Sequence, residues 1–150
     1  MNTDSRIGTF YHKKRIFELM SIAVSELLNR ASNHDNSKLV TPEKELFDEH
    51  SNNLRHSTFG SNEYNDFLKA LKPALDHHYE NNSHHPQHYE NGINGFDLFD
   101  LFELFFDWKA SSERHNDGDI YKSIEINKER FNISDQLCDI LKNTAKNLKF

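Results

Sequence analysis

Apolar residues recur every three or four positions along most of the chain, which is the spacing of one face of an α-helix. Near the start of the chain this face consists of Ile7, Phe10, Tyr11, Phe17, Met20, Val24, Leu27 and Leu28. Thr41-Pro42-Glu43 then combines a capping hydroxyl, a proline at the first helical position and an acid in the first turn. The pattern predicts a long first helix and a second helix that runs to about Ser51.

Four further helices are predicted along the rest of the chain. Ser61 caps the first of them, and Pro73 predicts a kink or a restart within it. Its inward face consists of Phe67, Leu71, Ala74, Leu75 and His78. The other three are predicted from about Phe96 to His115, from Ile120 to Arg130, and from Ser134 onward. No segment alternates with period two for long enough to argue a strand, so we expect an all-α, single-domain helical bundle over residues 1–150.

The composition narrows the class of protein. A chain of 150 residues with a net charge of −6 fits one domain, and general nucleic-acid binding, which needs many Lys and Arg, is not expected. The lone Cys138 forms no intrachain disulfide, which agrees with a cytoplasmic location. The stretch from Phe96 to Trp108 is too short and too acidic to cross a bilayer, so no membrane partner is expected.

The helix predicted from Phe96 carries three carboxylates on one face. Asp100, Glu103 and Asp107 are spaced by three and four residues, and their neighbours are apolar on nearly every side. A helix that is apolar all round is buried, and buried carboxylates are costly unless they are paired or bind a metal. The alternative interpretation is a narrow solvated acidic stripe.

Histidines concentrate in two other places. His34-Asp35 is a dipeptide that can ligate an ion or can simply form a turn. His78 shares the inward face of its helix, whereas His77 points elsewhere. His84-His85-Pro86 and His88 follow in a loop predicted from Asn81 to Gly95, and long ordered loops are often functional. Imidazole and carboxylate donors without cysteines suit Zn, Mn, Fe or Co, so we expect one or two such ions.

These residues resemble a known superfamily. His12, His34-Asp35 and Asp107, in this order on helices, are similar to the signature of the HD-domain metal-dependent phosphohydrolases. More narrowly, His34-Asp35-Asn36-Ser37-Lys38, Asn82-Ser83-His84-His85-Pro86 and Glu103 with Asp107-Trp108 resemble an uncharacterised family seen in phages and bacteria. The resemblance implies a helical bundle that holds a metal between helices.

The resemblance also implies roles for individual residues. Ligand roles pass to His12, His34, Asp35 and Asp107, and the histidine pair resembles added ligands or phosphate contacts. We predict metal ligation by His12, His34, Asp35, His78, His84 and Asp107. A continuous helix would separate His12 from His34 by about 33 Å, so a shared ion requires a turn near Met20 to Ser25.

The predicted chemistry is hydrolysis of a phosphate ester, such as a nucleotide, by a metal-activated water. Asp35 ligates the ion and orients the water, and Lys38 offsets charge on the phosphoryl oxygens, with His84 and His85 assisting in substrate binding. Glu103 orients a ligand histidine. Lys38 could equally be a surface lysine near a helix start.

Two other classes of function remain open. Helical sites with the same donors also serve diiron oxygenases. A non-catalytic metal-binding protein, for example a viral protein that binds a host protein through its acidic surface, fits the same residues. A homo-oligomer is also compatible with apolar residues such as Phe59, Tyr64 and Phe150 on the surface.

Overall fold

The computed structural model describes residues 4–56, 62–114 and 118–150, with the side chains of 51–56, 63–65 and 68 left aside. Helices account for all the regular structure in these ranges, so the predicted all-α class is confirmed. The α-helices are α1 (Ser5–Asn33), α2 (Glu43–His56), α3 (Asn62–Asn81), α4 (Leu98–Ser112), α5 (Ile120–Phe131) and α6 (Asp135–Leu148). Short 3-10 helices occupy Asn36–Leu39, Pro86–His88 and Gly92–Gly95.

The chain divides into two compact units, residues 1–33 and residues 34–150. The first unit contains α1, a single uninterrupted helix of 29 residues with no buried residue. The second unit contains the remaining helices and the hydrophobic core. None of the helices in the described ranges combines the length and the apolarity needed to cross a membrane.

The core of the second unit lies between α4, α5 and α6. Each of these helices turns one apolar stripe inward, as expected for a small helical bundle. The buried side chains are Leu104, Phe105, Trp108, Ile120, Ile124, Ile133, Cys138, Leu141 and Ala145. This core anchors α4, and α4 carries two of the predicted site residues.

Local capping explains where the core helices begin. Asp97 accepts hydrogen bonds from the backbone N–H groups of Phe99 and Asp100, at 2.7 and 2.9 Å, and Asp100 accepts in return from the Asp97 N–H at 3.2 Å. This capping box starts α4 at Leu98, two residues after the predicted start. Ser134 caps α6 at the predicted position through the Leu137 N–H.

Of the two alternatives predicted for Pro73, a kink or a restart, the structure excludes the restart, and one other local expectation was wrong in detail. Pro73 does not restart the helix, because α3 runs through it from Asn62 to Asn81 with buried Leu71 and Ala74 on either side of the proline. The segment predicted as an irregular loop after α3 instead contains two of the 3-10 helices. The predicted cap Ser61 and the predicted helix end His115 lie outside the described residues, as does Phe59.

Candidate metal centre

His34 and Asp35 occupy a tight turn between the end of α1 and the first 3-10 helix. Asp35 has φ 56° and ψ 18°, a left-handed conformation that Asp tolerates better than most side chains. The Lys38 N–H donates to the Asp35 carbonyl at 2.9 Å, which closes the turn. The His34 Nε2 and Asp35 Oδ2 atoms lie 3.5 Å apart. The turn therefore directs both side chains to one place, which a regular helix would not do.

Four side chains from three segments converge beside this turn. Potential ligand atoms of Asp35, His78, His84 and His85 all lie within 4.8 Å of one another. Asp35 Oδ1 is 3.3 Å from His78 Nε2 and 3.6 Å from His84 Nε2. His78 Nε2 is 2.8 Å from His85 Nε2. Asp35 lies more than 40 positions before the three histidines along the chain, so only the fold brings its carboxylate to them.

Two atoms at the centre of this cluster lack a hydrogen-bond partner. Asp35 Oδ1 and His84 Nε2 are both buried and both unsatisfied among the described residues. A buried polar atom without a partner costs about 1–3 kcal/mol, and native proteins contain few of them. A divalent cation coordinated by both atoms would satisfy them together. The two unsatisfied atoms therefore show that the side chains of the site fit a metal ion.

Asp107 lies on the side of the cluster nearest to His34. Its Oδ1 atom is 3.8 Å from His34 Nε2, and neighbouring ligands of one ion are typically separated by distances of this order. Asp107 comes from the middle of α4, and the core holds that helix through Trp108 and Leu104. The structure thus brings together the predicted ligands His34, Asp35 and Asp107.

Glu103 contacts two histidines from one carboxylate oxygen. Its Oε1 atom is 2.8 Å from His34 Nδ1 and 3.1 Å from His84 Nδ1. Both are hydrogen-bond distances, so the two Nδ1–H groups donate to Glu103. Ligand atoms of Glu103, His34 and His84 also lie within 4.8 Å of one another, so these three residues could hold an ion. We assign it an orienting role because the 2.8 Å contact is that of a hydrogen bond.

Glu43 orients His78 in the way that Glu103 orients His34 and His84. It is fully buried at the start of α2, and its two carboxylate oxygens accept from His77 Nδ1 at 2.7 Å and from His78 Nδ1 at 2.9 Å. The Nε2 atom of His78 then faces the centre. Sequence reasoning missed this residue because an acid after Thr41-Pro42 is already explained by helix capping.

Opposite charges within the site shift the pKa values of one another. The carboxylates of Asp107 and Glu103 raise the pKa of His34 to about 10. Burial raises the pKa of Asp107, but its contacts with His34 outweigh burial and the net change is downward. Burial likewise opposes a net lowering of the Asp35 pKa by Lys38. Without a metal, His34 is therefore a cation beside Glu103 and Asp107, and Lys38 is the cation beside Asp35.

His85 behaves in the opposite way. Burial, followed by repulsion from His84 and His78, lowers the pKa of His85 to about 3. Its imidazole is therefore neutral at physiological pH and keeps a lone pair for coordination. The sequence predicted His85 as a substrate contact, and its position adds it to the possible metal ligands.

Lys38 lies at the edge of the site. Its Nζ atom is 2.6 Å from Asp35 Oδ2, the oxygen opposite the unsatisfied Oδ1, and 40% of its side chain is exposed. The ammonium group thus stands next to the cluster and faces solvent. This position is compatible with contact to an incoming anion, and equally with a simple ion pair.

Two residues near the site serve the fold. Asp100, which the sequence grouped with Glu103 and Asp107, is buried and accepts from Ser83 Oγ at 2.6 Å and Tyr89 OH at 2.7 Å. His88 is exposed, and its Nδ1–H donates to the Tyr79 carbonyl at 2.8 Å. The predicted acidic stripe therefore divides between a structural carboxylate and two that face histidines.

His12 lies on α1, in the first unit, where its side chain is exposed. The turn near Met20 to Ser25 that sharing an ion with His34 would require is absent, because α1 is one unbroken helix. The stretch from His12 to Asn33 spans about 31 Å of helix. The ligand role of His12 stays a prediction from the resemblance, and the site described above is built from the second unit alone.

The chain belongs to a family of unknown function (DUF5662), whose model matches residues 1–147. No curated protein and no solved structure matches the chain. The family membership covers nearly the whole sequence and brings no reaction with it. Function has to be argued from the side chains of the site.

Proposed function

Because membership of this family implies no reaction, we propose from the site itself that the chain is a metal-dependent phosphohydrolase. Its substrate would be a small phosphate ester, such as a nucleotide, cleaved by a metal-activated water. The observation that carries the proposal is the pair of buried, unsatisfied atoms Asp35 Oδ1 and His84 Nε2 among converging imidazoles. The similarity of His34-Asp35 and Asp107 to the HD-domain signature supports the same reaction class.

The proposed ligands are two carboxylates and four imidazoles. They are His34, Asp35, His78, His84, His85 and Asp107. Nitrogen and oxygen donors of this kind suit Zn, Mn, Fe or Co, and six donors suffice for one six-coordinate ion or for two ions that share ligands. A bound divalent ion supplies Lewis acidity, which lowers the pKa of coordinated water from about 15.7 toward 7.

The chain's own residues then have separate tasks. Glu103 and Glu43 hold the ring orientations of three histidines, so that their Nε2 atoms stay directed at the centre. Asp35 orients the water through its second oxygen. Lys38, beside Asp35 and open to solvent, offsets negative charge that grows on the phosphoryl oxygens.

The test measures metal and turnover together. Purified protein should carry about one or two equivalents of a transition metal by elemental mass spectrometry, and should release phosphate from at least one member of a panel of nucleoside mono-, di-, tri- and cyclic phosphates. His84→Gln should lose the metal and the activity. His88→Gln is the matched control, because His88 belongs to the same loop but contacts the Tyr79 carbonyl and the Tyr89 ring, and it is not among the possible metal ligands.

The outcomes separate the alternatives. Full metal content in His84→Gln would remove the proposed site. Bound iron with a visible absorption band and oxygen uptake would favour the diiron oxygenase, for which the surplus of donors is the supporting observation. Metal that is required for folding, without turnover of any panel member, would favour a non-catalytic metal-binding protein.

We also propose a homo-oligomer in the cytoplasm. Ten large apolar side chains of α1 are exposed, among them Phe10, Tyr11, Phe17 and Met20, each 62–73% accessible. Exposed apolar surface on this scale typically marks an interaction site. Light scattering should give a mass above 17.7 kDa for the wild type. Phe17→Glu with Met20→Glu should shift that mass toward the monomer, and an unchanged mass would contradict a role for α1.

A further inference from the structure

We propose that a cavity next to the metal cluster binds the organic part of the substrate, with Arg130 as its specificity-determining residue. This inference rests on the proposed function, since it names the class of ester cleaved there. The cavity has a volume of about 240 Å³. It lies in the second unit and shares His85 and Asp107 with the candidate metal centre, so a molecule in it would reach the site of chemistry.

Three of the ten residues that line the cavity are aromatic. Trp108, Phe131 and Tyr79 line it, and the rings of Trp108 and Phe131 lie nearly parallel, with 4° between their planes and 6.4 Å between their centroids. Flat aromatic walls favour a flat ligand, because ring stacking adds to the free energy of apolar burial. A planar heterocycle fits this lining better than an acyclic chain does.

Apart from Leu104, the remaining lining is polar and carries one guanidinium group. Asn127 and Arg130 come from α5, and Arg130 lies over the ring of Phe131 at 4.7 Å. Within the described part of the chain, no carboxylate forms an ion pair with Arg130. A guanidinium held on an aromatic face presents its N–H donors sideways, where they can meet carbonyl oxygens or an anionic edge of a ring.

The volume limits the size of the ligand. Pockets for drug-sized molecules are typically about 300–1,000 Å³, and this cavity, at about 240 Å³, lies below that range, which limits its ligand to one small group such as a single heterocycle. Together, the walls, the donors and the shared residues point to a nucleoside monophosphate. The ring would lie against Trp108, with its polar edge toward Asn127 and Arg130 and its phosphate toward His85 and Asp107.

Trp108 provides a readout that does not require catalysis, because it is the only tryptophan in the chain. Titration of the metal-loaded protein with uridine 5′-monophosphate or adenosine 5′-monophosphate should quench Trp108 fluorescence saturably. Ribose 5-phosphate, which has the sugar and the phosphate but no heterocyclic base, should quench far less. Arg130→Gln should weaken nucleotide binding and raise KM by about tenfold or more, with little change in kcat and none in metal content.

Arg114→Gln is the matched control, since Arg114 is exposed just beyond α4 and does not line the cavity. Equal quenching by ribose 5-phosphate and the nucleotides would overturn the assignment, as would wild-type affinity in Arg130→Gln. Metal binding and phosphate release that continue in either case would leave the proposed phosphohydrolase standing. Ring-dependent quenching in a protein without phosphatase activity would instead support the cavity and contradict the reaction.

Discussion

Two buried regions of α4, one helical turn apart, use carboxylates in opposite ways. Asp100 accepts from neutral donors, namely the hydroxyls of Ser83 and Tyr89 and the backbone N–H of Asp97. Glu103 and Asp107 instead face imidazoles. Each of those imidazoles has a second nitrogen that faces a shared centre.

The difference shows that burial of a carboxylate does not identify a functional site. Asp100 is 2% exposed and more deeply buried than either of the other two acids, yet its partners satisfy it completely. What distinguishes the region of Glu103 and Asp107 is a partner that titrates and still has unused bonding capacity. The unsatisfied His84 Nε2 is the clearest instance.

The largest effect is expected on metal content, where variants of the proposed ligands Asp35 and Asp107 are compared with a variant of Asp100. Asp35→Asn and Asp107→Asn should each reduce bound metal to less than about a tenth of an equivalent after dialysis, because a neutral amide is a poor substitute for a carboxylate ligand. Asp100→Asn should keep the metal at the wild-type level. Elemental mass spectrometry of the three variants measures this, and metal loss in Asp100→Asn alone would reverse the comparison.

A smaller effect is expected where a carboxylate acts through histidines. Glu103→Gln should weaken metal affinity by about 10–100-fold, the usual cost of losing a partner that orients metal ligands. Competition with a chromophoric chelator gives the affinity. Glu113→Gln, which changes an exposed acid paired with Lys109, is the control and should match the wild type. Complete loss of metal in Glu103→Gln would make Glu103 a ligand.

The structural carboxylate should be detected through stability. Asp100→Asn should lower the free energy of unfolding of the metal-free protein by about 1–3 kcal/mol, because it removes charged hydrogen bonds from a buried capping box. Tyr89→Phe, which removes one of these bonds, should cost about 1 kcal/mol. Urea denaturation measures both variants. Equal stability of Asp100→Asn and the wild type would mean that the Asp100 contacts contribute nothing to folding.

A further expected effect is a pH dependence of stability that arises from His34. The folded pKa of His34, about 10, lies above its unfolded value of about 6.5, so its contribution to stability is complete below pH 6.5 and is lost as the pH rises toward 10. In chelator-treated protein, the melting temperature should therefore fall over this range. His34→Gln should show a shallower fall, whereas Tyr89→Phe should keep the wild-type slope below pH 9. Parallel slopes for His34→Gln and the wild type would contradict a charged His34.

Metal binding should show the reverse trend over the same range. A ligand histidine must release its proton before it coordinates, so the affinity should rise with pH until His34 is neutral. His85, whose pKa is lowered to about 3, releases no proton near neutrality. Chelator competition at pH 6.5 and at pH 8.5 should therefore show tighter binding at the higher pH.

Much of the local structure could be predicted, because it depends on residues that are close to one another along the sequence. The spacing of apolar residues determined the helices, and Ser134 started α6 where a capping hydroxyl was expected. His78 is buried as predicted, because it follows Leu71 and Ala74 on one helical face. The segment after α3 was wrong in detail, because its backbone forms two 3-10 helices where an irregular loop was expected.

The candidate site was only partly accessible to the same reasoning. The residue types pointed to a metal, and Asp35 and Asp107 were named as ligands. Glu43 was missed because its position after a proline has a sufficient local explanation. Arg130 was not predicted, because nothing near it in the sequence suggests a ligand. Its proposed role in substrate specificity depends on Trp108 and Asn127, which line the same cavity.

The sequence by itself determined the helices and which side chains share a helical face, since both follow from spacing over a few residues. It placed Asp100, Glu103 and Asp107 on one face with the same chemistry. The tertiary structure alone decided their different roles, because the path of the chain after α3 brings Ser83 and Tyr89 to Asp100 but His84 to Glu103. Such a path depends on packing between distant segments, which local spacing does not encode.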